Sequence, residues 1–431
     1  MPENIAIRTQ APPLKHITDF SFRHVEKAIL DNGIPVYTLN AGVQDVIRVE
    51  LIFRNPAFNP AQPLMHSAAN RLLNEGSSKH NAQQLAEMVD YYGAYYENEQ
   101  SNDHSSVMLH TLNKHLGSTL PILHEILTDP AFPEKEIQVY QQNNKQRLTV
   151  ENEKVASVAR RKFAEIVFGA QHPYGYYVRP EDYDKLNQAE LKKYHHAQYV
   201  SNHCSIIVSG KVDAEVIKSL NSIFGSADWT RSNGAMETVS DFKPSENKIN
   251  YIERDDAIQS AIRVGRPMFN KTHPDYAGMQ VLNTLLGGYF GSRLMKNIRE
   301  DKGYTYGIGS AVASMVKGGY FFISSEVGSD VCSAALDEIY KEIELLKTEP
   351  VPEEELQMVK NYMLGSFLKN IDGAFNLADR WKGIMFYDLD YRYYDNFIQT
   401  VKSISSAEIM QLAAKYFKKE DLFELVVGKK Q

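Results

Sequence analysis

Cysteine is nearly missing from this chain: Cys204 and Cys332 are the only two among 431 residues. That is too few for a disulfide framework or a thiolate zinc site, so both are expected as free, buried thiols in a reducing compartment. An excess of positive charge is missing too. The balance of 47 Lys and Arg against 54 Asp and Glu gives a net charge of −7 and a pI near 6.0, which argues against a surface built to neutralise phosphate backbones. No apolar run approaches the length of a membrane span, and the N-terminal "MPENIAIRTQAPPLKH" has no apolar core of a signal peptide. No nucleic-acid or membrane partner is expected. The expected compartment is the cytoplasm, with the periplasm left open if a leader has been removed. What is present is ordinary globular material, 43% hydrophobic and 23% charged, in a length that exceeds one core and points to two domains.

The chain is one half written twice. Residues 186–211, "LNQAELKKYHHAQYVSNHCSIIVSGK", align without a gap with residues 404–429, "ISSAEIMQLAAKYFKKEDLFELVVGK". In both, a helix carrying an aromatic (Tyr199, Phe417) leads to a short apolar strand ending in Gly-Lys. Upstream, Pro133 and Pro352 are each read as the first residue of a helix that opens with carboxylates, which suits a missing N–H and the helix dipole. The runs "VIRVELIFRN", "SSVMLHTL", "SAIRVGRPMF" and "GGYFFISSEV" read as strands. The expected fold is α+β: two homologous domains, 1–224 and 251–431, each a mixed or antiparallel sheet covered by helices, forming a half-clamshell. The polar, unpatterned stretch 225–250 is read as a linker.

Catalytic constellations are mostly missing. A helical zinc site needs two ligands three or four residues apart on one face, and the thirteen histidines offer no such pair. His66 lies near the start of the helix expected in "LMHSAANRLLNEGSSKHN" (64–81), closed by Gly76, but the cation of Arg71 on the same helix would repel a metal. There is no G-x-S-x-G elbow and no phosphate loop. The carboxylates from Glu353 to Glu355 read as a solvated first helical turn. The tyrosine-rich runs 91–99 and 386–397 read as half-buried packing, although they could stack on a ligand.

One segment has a different texture. In "LLGGYFGSRLMKNIREDKGYTYG" (285–307), Gly287, Gly288 and Gly291 allow a tight path, then Leu294 and Ile298 give a helical spacing that stops at Gly303. By composition alone, Arg299 complements the helix dipole and Tyr306 packs at a strand edge. The segment nevertheless resembles the C-terminal-domain signature of the pitrilysin/insulinase clan of zinc peptidases, matched at Gly287, Gly288, Ser292, Arg293, Leu294, Ile298, Arg299, Glu300, Gly303 and Tyr306. The likeness extends over nearly the whole chain, including "HPYG" at 172–175.

The resemblance implies that Arg299 and Tyr306 bind substrate backbone and stabilise the reacting carbonyl, chemistry that suits a guanidinium and a phenol. It also implies an inverted zinc motif, H-x-x-E-H, on the first helix of the N-terminal domain and a distant glutamate ligand. Here Ser67, Asn70 and Arg71 fall at the motif positions, and the glutamate falls near Gln146 and Arg147. None of these can replace the zinc-binding set. The pattern resembles the non-catalytic subunit of a heterodimeric peptidase, with no metal or other cofactor in this chain, zinc on a homologous H-x-x-E-H partner, and a peptide substrate enclosed between the two. A non-proteolytic scaffold of the same fold and a self-sufficient zinc peptidase with an irregular site are the competing readings.

Overall fold

The structure is a computed structural model and describes residues 22–227, 229 and 241–429. The N-terminal stretch read for a leader and much of the expected linker, 228 and 230–240, lie outside the described residues. The first half runs β1 (Glu26–Ile29), β2 (Pro35–Asn40), β3 (Val46–Arg54), α1 (Met65–Arg71), α2 (Ala82–Tyr91), β4 (Tyr95–Gln100), β5 (His104–Leu112), α3 (Leu116–Thr128), α4 (Glu134–Glu153), α5 (Val155–Phe168), α6 (Pro180–Asp184), α7 (Gln188–Gln198), β6 (Cys204–Gly210) and α8 (Ala214–Phe224). The second half runs β7 (Ile249–Glu253), β8 (Gln259–Met268), α9 (Tyr276–Asn283), β9 (Thr305–Met315), β10 (Gly318–Gly328), α10 (Cys332–Thr348), α11 (Glu353–Lys369), α12 (Ala374–Met385), α13 (Arg392–Ser403), α14 (Ser406–Tyr416) and β11 (Phe423–Gly428).

The two sheets share one topology. The first is ordered β1-β2-β6-β3-β5-β4 and the second β7-β11-β8-β10-β9. In each, one pair is parallel (β2 with β6, β7 with β11) and the remaining pairs are antiparallel, with β1 added as an extra edge strand of the first sheet. The repeat seen in sequence is therefore a repeat of structure, with α7 and α14 occupying the same positions of the repeat. The α+β expectation with two mixed sheets matches this architecture. β4 and β9 are the corresponding edge strands, and both matter to the site below.

The halves also exchange cover. α5 of the first half packs its Val158, Phe163, Val167 and Phe168 on Ala261, Phe423, Leu425 and Val427 of the second sheet. Reciprocally, Ala378 and Trp381 of α12 and Phe386 just beyond it pack on Ile52 and Ile207 of the first sheet. This explains why β3 is buried at nearly every position instead of at alternate ones. Charges reinforce the exchange: Lys382 of α12 donates to Glu50 at 2.8 Å and to Glu99, and Arg48 pairs with Asp379 at 2.6 Å. Burial works against the Lys382 charge, yet Glu50 and Glu99 hold its pKa above the ordinary lysine value.

Several local expectations change. α1 ends at Arg71 and does not run to Gly76; Leu72 turns into the core and Gly76, at φ +130°, belongs to the following turn. Pro133 and Pro352 sit at the N-cap, one position earlier than expected, because the carboxylates after them begin the helices. Cys204 is buried but Cys332 only half-buried, since it opens α10 at the domain surface. β7 begins at Ile249, inside the stretch read as linker; its five residues are too short and too polar to show a clear period.

Candidate functional site

Arg299 and Tyr306 are set by two irregularities of the backbone. α9 passes directly into a π-helical turn over Thr284–Gly288, and a second π-helical segment covers Met295–Asp301. Such turns add a residue to the helical register and re-aim the side chains they carry. Gly287 is required by contact: a Cβ there would lie 2.7 Å from the backbone nitrogen of Ser310 on β9. Gly303, at φ +67°, closes the second π segment, with Tyr304 N–H donating to the Ile298 carbonyl at 3.0 Å. Arg293 is pinned by Glu355 of α11 through a two-pronged pair at 2.8 Å on both arms. Glu355 is thus an anchor, which corrects its reading as part of a merely solvated turn.

Tyr306 stands in a β-bulge. Ser325 pairs with Ile308 and Val327 with Thr305, so Tyr306 and Gly307 together face the single residue Glu326. The bulge is held by Thr305 Oγ1, which donates to the Glu326 carbonyl at 2.6 Å, and by Ser325 Oγ, which donates to the Gly307 carbonyl at 3.0 Å. A bulge on an edge strand swings its side chain out of the sheet, and Tyr306 is 93% exposed. The Arg299 guanidinium lies 4.6 Å from the ring centre of Phe290 and 5.8 Å from that of Tyr306. Its one ion-pair partner among the described residues is Glu300, at 3.9 Å. The result is a cation held between two exposed rings, with its hydrogen-bond donors unspent among the described residues. Phe290 did not stand out in the sequence; only the π turn between the glycines brings it to Arg299.

The expected zinc-motif positions converge elsewhere. Ser67, Asn70 and Arg71 of α1, Asn98 and Gln100 of the β4 edge, and Glu136, Tyr140 and Arg147 of α4 line one cavity of about 480 Å³. Arg147 lines this cavity; Gln146 does not, and projects from α4 as an exposed side chain. Asn70 is buried, its amide donating to the Ser106 carbonyl at 3.3 Å and its own carbonyl accepting from Asn98 at 2.8 Å. The Ser67 hydroxyl donates back to the Leu64 carbonyl. A serine, an asparagine and two guanidiniums cannot hold zinc: the first two are weak neutral donors here engaged with backbone, and the last two are permanent cations. Among the described residues, no three His, Cys, Asp or Glu side chains gather into a metal-binding group. His66 points into a different cavity of about 310 Å³, beside Tyr194, Gln198 and Phe386, where burial lowers its pKa to about 4. It is a neutral histidine in a cleft between the halves.

Twofold repetition of a sheet-and-helix half, an arginine on a π-helical segment beside a tyrosine on an edge strand, and no gathering of metal-binding side chains among the described residues define the class as a two-domain α+β chain. The family is shown directly: the chain belongs to the M16, or insulinase, peptidase family. Residues 68–174 match the model of the insulinase peptidase family M16, and residues 185–363 match that of the peptidase M16 inactive domain. A Bacillus subtilis protein described as an uncharacterized zinc protease is 22% identical over 70% of this chain and 72% of its own length. A Helicobacter pylori protein described as a non-peptidase homolog is 21% identical, covering 84% of each chain. The crystal structure of a peptidase M16 inactive domain from Pseudomonas fluorescens superposes with a TM-score of 0.84 at 20% identity, covering 95% of this chain and 98% of the other. No described helix is long and apolar enough to cross a membrane.

Proposed function

We propose that this chain is the zinc-free partner in a two-chain metallopeptidase, supplying Arg299 and Tyr306 to a peptide whose scissile bond is attacked at the zinc of a homologous H-x-x-E-H subunit. The observation that carries this reading is the exposed Phe290–Arg299–Tyr306 cluster. A guanidinium 28% exposed beside a phenol almost free of the protein surface is a costly arrangement for stability alone and suits a ligand that arrives from outside. In the assembled pair, zinc would activate water on one wall while Arg299 and Tyr306 hold the carbonyl from the other, so both walls are needed for a productive geometry. The two halves of this chain are locked by exchanged helices, which favours an enclosing chamber formed between two chains. The expected compartment remains the cytoplasm. A scaffold of the same fold is the competing reading, and the unspent donors of Arg299 weigh against it.

The test is reconstitution with an M16 chain that carries H-x-x-E-H from the same genome. The pair should cleave a quenched fluorescent peptide library, and each chain alone should not. Zinc-dependent cleavage by this chain alone would overturn the proposal.

A further inference from the structure

We infer that the cavity between α1, the β4 edge and α4 is a carboxylate-binding site built on Arg71 and Arg147, so that the place where the family resemblance puts a cation has become a place for an anion. The inference rests on the peptide-handling reading above for the source of the carboxylate, and on the cavity alone for its chemistry.

Both guanidiniums line the same space of about 480 Å³. Neither has an ion-pair or hydrogen-bond partner among the described residues. Two other cleft-lining arginines are tied down, Arg48 by Asp379 and Arg293 by Glu355. Both cations also act on one group. Burial pushes the Tyr140 phenol up, while a hydrogen bond with Ser67 and the charges of Arg71 and Arg147 pull it back, so both arginines lie within electrostatic reach of one hydroxyl on the cavity wall. A guanidinium can grip both oxygens of a carboxylate in a forked pair, and two guanidiniums lining one cavity place two such donors around the same space.

Glu75 and Glu136 line the same cavity and set its selectivity. Burial and the neighbouring Glu136 raise the Glu75 pKa, with Arg71 opposing. The two carboxylates offset the two guanidiniums in formal charge, so a second negative charge on the ligand gains little, and binding depends on direct contact with the guanidiniums, whose planar forks match a carboxylate. A peptide chain end is one source of that carboxylate and an acidic side chain is another. The adjoining β4 edge, which has no neighbouring strand on its outer side among the described residues, leaves room for an extended chain beside the site.

The experiment is a fluorescence-anisotropy titration of the full chain, alone, with a labelled short neutral peptide in three forms: free C-terminal acid, C-terminal amide, and amide with one internal glutamate. The free acid should bind at least about tenfold more tightly than the neutral amide, the difference a forked charged pair supplies. Binding of the glutamate peptide as tightly as the free acid assigns the site to side-chain carboxylates; weak binding assigns it to chain ends, and both uphold a carboxylate site. Arg71→Gln and Arg147→Gln should each remove most of the preference for the acid while leaving the melting temperature in place, since both side chains lie at the exposed rim. Equal binding of acid and neutral amide, an unchanged preference in both variants, or competition by phosphate as strong as by acetate would overturn the inference. Because no partner chain is present in this titration, its outcome is independent of whether the reconstituted pair cleaves peptides.

Discussion

Replacing Lys382 with methionine should destabilise the whole molecule, because that lysine neutralises a carboxylate with no other compensation. Glu50 is 0% exposed, and Lys382 is 13% exposed and 2.8 Å away. The second oxygen of Glu50 has no hydrogen-bond partner among the described residues. Breaking a buried pair by removing one member costs about 3 kcal/mol, since the remaining charge is stranded. With an unfolding entropy of roughly 2.1 cal/mol/K per residue, or about 0.9 kcal/mol/K for the chain, the melting temperature should fall by about 3 °C. The double substitution Glu50→Gln/Lys382→Met should recover much of the loss, because a neutral amide is cheaper to bury than an anion. Urea titration followed by circular dichroism reads all three proteins. A Lys382→Met variant within about 0.5 kcal/mol of the parent, or a double variant no better than the single, would refute the view that this contact is a stranded-charge lock between the halves.

Phe290→Ala should leave the fold intact, as the ring is 64% exposed, but lower kcat/KM of the reconstituted pair by roughly 3- to 30-fold through the lost cation–π support of Arg299; an unchanged value would remove Phe290 from the site. On acidification, stability should decline through two carboxylates. Burial opposes ionisation of Glu99 and Glu125, but hydrogen bonds and charge from Lys382, and from Ser77 and His80, hold both pKa values below the ordinary 4.5. Their contribution is therefore complete above about pH 4.5 and is lost as pH falls through the lower folded values. Glu125→Gln should flatten the dependence of the urea midpoint on pH in that window, and a slope identical to the parent's would contradict it. A chelator should abolish hydrolysis by the pair and leave the melting curve of this chain alone unmoved; a chelator-induced drop in its melting temperature would point to a bound structural metal.

Strands with alternating or continuous apolar residues were legible before the structure: β3, β5, β8 and β10 match the runs read as strands to within one residue at each end. The repeat was legible because α7, α14, β6 and β11 keep the same spacing to their Gly-Lys ends. β1 and β7 were not, being four and five residues long with mixed polarity. The exchanged helices were also hidden, since a helix that covers the other half's sheet has the same amphipathic pattern as one that covers its own. At the site, residue types were legible and geometry was not. Arg299 and Tyr306 stood out by motif, but a π turn and a helix share apolar spacings over so few residues, and the bulge at Tyr306 was marked in sequence only by Gly307 inside a strand. Phe290 owes its place to the π turn, and Glu355 meets Arg293 only through the packing of α11, so no pattern along the chain could have paired them with their arginines.

The central claim is that Arg299 and Tyr306 act on a substrate held at another chain's zinc. Its most direct test is kcat/KM of the zinc-bearing partner reconstituted with the parent chain, with Arg299→Ala, and with Tyr306→Phe. The account predicts hydrolysis with the parent, and a loss on the order of 10²-fold or more with Arg299→Ala and a smaller one with Tyr306→Phe, at unchanged affinity between the chains. Equal rates with all three proteins, or the same rate from the partner alone, would contradict it.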